Sequence, residues 1–435
     1  MCLIIINVLE PGFNGLYVLT EGDIMFTERQ RKMIQHAYET VPFYMESCRD
    51  KGLNPKEFQK FEDIPIVGKR DLTIRNDSFI SAAYMVRYLQ GKLLYSHTSG
   101  STGECVDVYW DMGECKRSLL PLWIKRKKYY GINPHDRHCY FYTARKTGGI
   151  DVEEEDRGYS LGFCKCNLTD QKLMYIWKRM QEFKPVWMNL QPSIAMLLCR
   201  VIERYGLDLM PSLRYIETTG EMLFPSMRKY VQEKMKVIIA DQYGCNELNS
   251  IAFECIQGHL HCMEENVSIE IVDNKGDLLP DGEEGDIVVT SLNNFAMPLI
   301  RYRVGDRGRF LTKKCECGEK GKILELTAGR SNDLVIDREG NLLNAYIFAR
   351  SVENANKIYE HAILQFKVIQ HAVDDFEIFL VLDEEYEQDQ VLGCFMENLW
   401  QNTLVGSEFR IQVCSELMPE DGTGKLKWFV NEMFL

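Results

Sequence analysis

Short apolar or β-branched runs alternate with amphipathic helical runs along this chain, and that alternation constrains the fold more than any other feature. Leu213–Thr219, Val237–Ala240 and Ile287–Leu292 are each bounded by turn residues and are predicted to be buried strands. Met33, Ile34, Ala37, Tyr38 and Val41 recur at helical spacing from Glu28 and stop before Pro42. A second helix is predicted from Asp170 to Phe183, with Leu173, Ile176, Trp177 and Met180 on one face and Lys184-Pro185 as its stop. Helices interleaved with buried strands make an α/β protein. At ~100–200 residues per domain, 435 residues suggest two or three domains. The clearest change of pattern follows Gly329-Arg330-Ser331-Asn332-Asp333. Beyond it come a strand, a turn at Arg338–Asn341, a helical run through Glu353, and strands near Phe366–Val373 and Phe376–Leu382. We therefore expect a large multi-sheet α/β domain over residues 1–331 and a small α+β domain over residues 332–435.

Charge narrows the function. With 51 Lys+Arg against 64 Asp+Glu, the net charge of −13 argues against a nucleic-acid binder or a protein of anionic membranes, both of which need basic surface. Fifteen cysteines, an odd number that includes the pair Cys315-Glu-Cys317, suit a reducing, cytoplasmic setting and a metal site better than a disulfide framework. The opening Met1–Leu9 is apolar for far fewer than the ~20 residues that span a bilayer and lacks the marks of a signal peptide. Because the amphipathic pattern begins after Met25, residues 1–25 are expected to be an extension, with Met25 an alternative start.

Four segments carry possible chemistry. Thr98-Ser99-Gly100-Ser101-Thr102-Gly103 joins two glycines to four hydroxyls, which suits either a plain turn or a backbone cradle for polyphosphate; it lacks the Gly-Lys-Ser/Thr ending of a P-loop. Val237–Ala240 delivers Asp241-Gln242-Tyr243-Gly244-Cys245-Asn246-Glu247 to the carboxyl end of a strand, where ligands bind in open α/β sheets. There a ring can stack on a base and a carboxylate can hold Mg²⁺; an ordinary polar turn is the plainer reading. Met297-Pro-Leu-Ile-Arg301-Tyr302-Arg303-Val304-Gly305-Asp306 reads as an apolar stretch ending in a turn that exposes Asp306, either for ribose hydroxyls or for a salt bridge with Arg301 and Arg303. Last, Gly422-Thr423-Gly424-Lys425 is a lysine-bearing loop or a solvated turn.

In this order, with Gly220-Glu221 and Gly329–Asp333 between them, the segments resemble the adenylate-forming superfamily of acyl-CoA synthetases and adenylation domains. Tyr38–Tyr44, Arg301–Asp306 and Cys315-Glu-Cys317-Gly318 resemble its phenylacetate-CoA ligase branch. The resemblance runs from about Met25 to Leu435. It implies that a carboxylic acid, aryl or otherwise compact, reacts with ATP to give an acyl-adenylate and pyrophosphate, and that CoA then takes the acyl group. Other family outcomes are transfer to a carrier-protein thiol or an amine, or a relative that only binds nucleotide. By the same resemblance, Thr98–Gly103 cradles the phosphates and Glu247 holds Mg²⁺. Gly220, Glu221, Asp241, Gln242, Tyr243 and Gly244 form the adenine slot, Asp306 takes the ribose and Arg330 supports the ribose-phosphate region. Lys425 is the catalytic lysine and Asn332 occupies the hinge position of a mobile C-terminal domain. Asn246, in place of the hydroxyl residue usual before the Mg²⁺ carboxylate, and Glu104-Cys105 depart from the family pattern.

Cys255, His259, His261 and Cys262, with Cys315 and Cys317 further on, have the ligand chemistry of a structural Zn²⁺ site. The branch resemblance favours Cys255, His261, Cys315 and Cys317, with His259 and Cys262 as alternatives. Trp187, Asn189, Gln191, Pro192 and Ser193 follow a Lys-Pro break and are expected in a loop near the acyl group. No nucleic-acid or membrane partner is expected, and a homodimer is allowed for.

Overall fold

The computed structural model describes residues 26–97, 106–142, 145–147, 150–166, 168–330, 334–340, 342–383, 385–401, 404, 406–419 and 426–434. The first expected helix forms as α1 (Glu28–Thr40). It opens with a capping box in which Thr27 Oγ1 accepts from the Gln30 N–H while the Gln30 side chain accepts from the Thr27 N–H. Pro42 then starts α2 (Pro42–Lys51) at the one turn of a helix that needs no N–H from it. A longer helix, α3 (Met112–Tyr130), is capped by Asp111 and closed by Gly131.

Strands and helices then alternate: β1 (His138–Tyr142), β2 (Ser160–Cys164), α4 (Asp170–Phe183), β3 (Trp187–Leu190), α5 (Pro192–Tyr205), β4 (Tyr215–Thr219), α6 (Pro225–Met235) and β5 (Ile238–Cys245). The five strands lie side by side and parallel, in the order β2-β1-β3-β4-β5. After β5 the chain turns back into antiparallel strands: β6 (Asn249–Glu254), β7 (Leu260–Cys262), β8 (Val267–Val272), β9 (Gly285–Ser291), β10 (Tyr302–Leu311) and β11 (Ile323–Arg330). They extend the same sheet to twelve strands, ordered β8-β9-β10-β11-β7-β6-β5-β4-β3-β1-β2 and edged by Glu154–Asp156. Smaller two-stranded sheets accompany it. The strand expected to end at Ala240 runs on to Cys245, because Gln242–Cys245 pair with β6, a partner that local sequence does not reveal.

The C-terminal part contains α7 (Tyr346–Ile358), β12 (Ile363–Ala372), β13 (Asp375–Leu382), α8 (Gln388–Gln401), β14 (Glu408–Val413) and β15 (Phe429–Asn431). Its four-stranded sheet is ordered β14-β13-β12-β15. The apolar residues of α4, α5 and α6 under the parallel strands continue without a break into this second sheet. Phe224 meets Phe366 at 5.2 Å between ring centroids, and Lys229 pairs with Glu360 at 3.1 Å. Among the described residues no helix is long and apolar enough to cross a membrane.

Helix α3 lies on the other face of the parallel strands, and a buried ion pair fixes it there. Arg126 Nε donates to Glu217 Oε2 at 2.7 Å, and the guanidinium sits 4.5 Å from the Trp123 ring centre and 4.9 Å from that of Trp187. Glu217 is fully buried on β4 and also accepts from Asn189 Nδ2 and Tyr215 OH. Arg126→Met leaves that carboxylate charged and unpaired, so it is expected to lower the unfolding free energy by ~3–5 kcal/mol. Adding Glu217→Leu should recover a large part of the loss in denaturant melts.

Candidate active site

Thr219 at the end of β4 is level with Gln242 in β5, and the residues around this edge carry the motif chemistry. Gly220 turns the chain with φ +81°, a conformation that glycine adopts without strain. Glu221 then accepts from the Ser193 N–H at 3.1 Å and Ser193 Oγ at 3.0 Å, at the start of α5. It also accepts from the Leu426 N–H at 2.9 Å. Leu426 follows Lys425 in the sequence, so the C-terminal segment meets the main sheet at Glu221.

Across the edge, the β5–β6 hairpin closes tightly enough that a Cβ on Gly244 would stand 2.2 Å from the Asn249 carbonyl oxygen. Glycine is required there, and the register shifts between Tyr243 and Gly244. The Tyr243 hydroxyl donates to Asp306 Oδ2 at 2.7 Å, joining the expected base-stacking ring to the expected ribose acceptor. Asp306 does not end a turn, as the sequence suggested. It lies inside β10 opposite Arg330 of β11, where a register shift between Asp306 and Arg307 bends the strand. The charges of the string also separate: Arg301 pairs with Glu270 at 3.0 Å and Arg303 with Asp286 at 3.4 Å. Arg301 holds a left-handed φ of 49° because three elements grip it, through Glu270, the Ile64 carbonyl and the Gly276 carbonyl.

Glu247 is buried in the turn of this hairpin and accepts from Tyr302 OH at 3.3 Å. Asp241 is partly exposed. Its carboxyl accepts from Thr218 Oγ1 at 2.8 Å, and its backbone N–H donates to Glu254 at 2.6 Å. Enclosure by protein pushes it from its ordinary 3.8 up to about 7, opposed by the Thr218 hydrogen bond. The predicted residues Gly220, Glu221, Gln242, Tyr243, Gly244, Glu247 and Asp306 therefore gather around the carboxyl ends of β4 and β5, in the interior of the sheet. Thr98–Gly103, Asn332 and Lys425 lie outside the described residues. The first of these segments joins paired strands, in which His97 faces Asp107.

Trp187 and Asn189 are not in a loop but on β3, and Pro192 and Ser193 open α5. Sequence reading missed the Arg126–Glu217 pair, the Glu221–Leu426 contact and the hydrogen bond from Thr219 Oγ1 to Gln242 Oε1 at 2.8 Å. A signal for the first existed: Glu217 is a carboxylate inside a run expected to be a buried strand.

A second cluster lies where β6, β7 and the segment after β10 approach each other. The ligand atoms of Cys255, His261, Cys315 and Cys317 all fall within 4.8 Å of one another. Cys255 Sγ is 3.6 Å from Cys315 Sγ, and Cys317 Sγ is 3.3 Å from His261 Nε2. Tetrahedral zinc bonds put such neighbours about 3.5–3.8 Å apart, so the set can hold that ion. Cys262, adjacent to His261 on a strand, points to the other face and packs in the apolar core. His259 Nδ1 approaches Cys315 Sγ at 3.2 Å from outside the set. Glu319 ties this cluster to α3, accepting from Lys125 at 3.2 Å and Tyr129 at 2.6 Å and pairing with Lys128. The Lys128 contact, with that of Tyr129, holds its carboxyl down to about 2.

A carboxyl raised on folding withdraws stability as pH climbs from its ordinary value through its folded one, here from 3.8 to about 7. Asp241→Asn removes the titration and keeps an acceptor for Thr218. The variant is expected to gain ~1–3 kcal/mol over wild type between pH 5 and pH 8, measured as a melting-temperature gap that widens with pH and levels off above it.

No family model matches the chain. It is 27% identical over 330 residues to a curated phenylacetate-coenzyme A ligase of Thermus thermophilus, covering 72% of each protein. It is 25% identical over 415 residues to that of Pseudomonas putida, covering 91% of each. Among solved structures, 2-hydroxyisobutyryl-CoA ligase in the postadenylation state superposes with a TM-score of 0.71 at 16% identity, covering 93% of this chain and 88% of that one. The chain is thus a distant relative of the phenylacetate-coenzyme A ligases, built on the fold of the adenylate-forming CoA ligases.

Proposed function

We propose that this protein is an AMP-forming acid-CoA ligase: it joins a compact carboxylic acid to ATP, releases pyrophosphate, and passes the acyl group to the thiol of CoA. The observation that carries this reading is the convergence of Tyr243, Asp306 and the Glu221–Leu426 contact around the carboxyl ends of β4 and β5. It gathers a ring for the base, a carboxylate for the ribose and the segment that follows Lys425. The likeness in sequence to phenylacetate-coenzyme A ligases supports the same chemistry.

In this reading residues 1–331 bind ATP and the acid, and residues 332–435 form a small domain that moves about Asn332. Thr98–Gly103 enclose the β- and γ-phosphates, and Arg330 supports the ribose-phosphate region. Glu247, buried beside Tyr302 with carboxylate oxygens to share, would hold Mg²⁺; the ion would neutralise phosphate charge. Lys425 brings positive charge to the carboxylate and α-phosphate as the new bond forms. A free thiol substrate and the free cysteines of the described chain suit a reducing cytoplasm.

The Cys255, His261, Cys315 and Cys317 set would hold a structural Zn²⁺, pinning the loops beside β6 and, through Glu319, the end of α3. Protein purified without chelator should carry one zinc per chain by elemental analysis. Cys315→Ser should lose it and melt at lower temperature.

Incubation with MgATP and a panel of aryl, aliphatic and amino acids, with and without CoA, tests the reaction. Acid-dependent pyrophosphate release that turns over only with CoA is expected, falling ~10²–10³-fold in Lys425→Ala. Pyrophosphate without CoA turnover would redirect the acceptor to a carrier-protein thiol or an amine. Nucleotide binding with no acid activated would contradict the enzyme reading.

A further inference from the structure

The face of the parallel sheet beneath α3 changes character from row to row. Register sets Trp187 beside Tyr215, then Asn189 beside Glu217, then Thr219 beside Gln242. Residues two apart on a strand share a face. Gln191 follows Asn189 by two, with extended backbone at φ −75° and ψ 147°, and so continues this column up to the level of Thr219. The first row is aromatic and packed under α3, with Trp123 on Trp187 and Tyr130 on Tyr215. In the second, Glu217 is neutralised by Arg126 and also bonded by Asn189.

The third row, at the carboxyl ends of the strands, is polar and incomplete. Thr219 donates to Gln242, leaving the Thr219 oxygen able to accept. Gln191 is 8% exposed, and among the described residues its buried Oε1 has no hydrogen-bond partner. The side chain does not cap α5 either. A buried acceptor without a donor is costly, and it stands two residues before Ser193, which is bonded to Glu221 at the contact with Leu426. This polar edge therefore borders the place where the acid must lie if the ligase reading is right.

We propose that this row is the wall that selects the acid, and that the acid carries a hydroxyl whose O–H donates to Gln191 Oε1, with Thr219 alongside. A hydrocarbon or plain aryl acid would bury that acceptor unpaired. An ammonium substituent would need a counter-charge; Glu217, buried beneath the row, already faces Arg126, and the Glu221 carboxylate is already engaged by the Ser193 N–H and Oγ and the Leu426 N–H. The proposal rests on the ligase reading and names its substrate class.

The test uses the full-length protein with MgATP and pyrophosphate detection, on pairs of compact acids that differ by one hydroxyl at successive positions. The best hydroxylated acid should exceed its plain partner by about 100-fold or more in kcat/KM, since a site built to bond a hydroxyl strongly rejects the analogue without one. Gln191→Leu should reduce the ratio to less than about tenfold by losing rate on the hydroxylated acid alone, and Thr219→Val should reduce it in part. Unchanged melting temperature would show that Gln191→Leu acts on recognition and not on folding. A wild type that treats both partners alike, prefers an ammonium acid, or keeps its ratio in Gln191→Leu overturns the proposal and leaves the ligase reading standing. Pyrophosphate release with no acid at all in the panel overturns both.

Discussion

Parallel pairing of β4 with β5 puts Thr219 level with Gln242, and Glu221 and Tyr243 take their positions from that register. Glu221 is two residues beyond one strand end, and Tyr243 follows the matching position on the other. A slip of β4 by one residue would send Glu217 into the apolar face under α4–α6 and turn Thr218 toward α3. The register is thus protected by a large energetic difference between faces. The buried pair of Glu217 with Arg126 reinforces it, because only the native alignment gives that carboxylate its cation.

The same pair connects the crevice to the metal-ligand cluster. Helix α3 contributes Arg126 to the sheet and Lys125, Lys128 and Tyr129 to Glu319, two residues past Cys317. A metal held by Cys255, His261, Cys315 and Cys317 would therefore brace α3 at the same end that carries Arg126. The ligand set itself is remote in sequence, and the fold closes it through β6 and β7, whose register sets Phe253 opposite His261. The remaining support comes from the C-terminal sheet, which shares one apolar cluster with α4–α6 and touches Glu221 through Leu426.

Much of this was legible in the sequence. α4 spans the Asp170–Phe183 range expected of it, because its apolar face and its stop at Lys184-Pro185 are local signals. Cys255, His261, Cys315 and Cys317, the four side chains favoured as possible metal ligands, do come together in space. What failed was contact between distant segments. Asp306 was expected in a turn but lies in a strand whose partner, β11, is remote in sequence. Asn189 was expected in a loop because a Lys-Pro break precedes it, yet the chain resumes as a strand between two parallel neighbours. The polarity of the row at Gln191, Thr219 and Gln242 became visible only once register aligned three separate segments.

In the proposed reaction the adenylate portion of ATP is held by Tyr243 and Asp306. Calorimetric titration with AMP tests it most directly, because it needs neither the identity of the acid nor turnover. Saturable binding by wild type should weaken at least about tenfold in Asp306→Ala, with the melting temperature kept, from loss of a charged hydrogen-bond acceptor. No binding by wild type, or equal affinity in the variant, would contradict it.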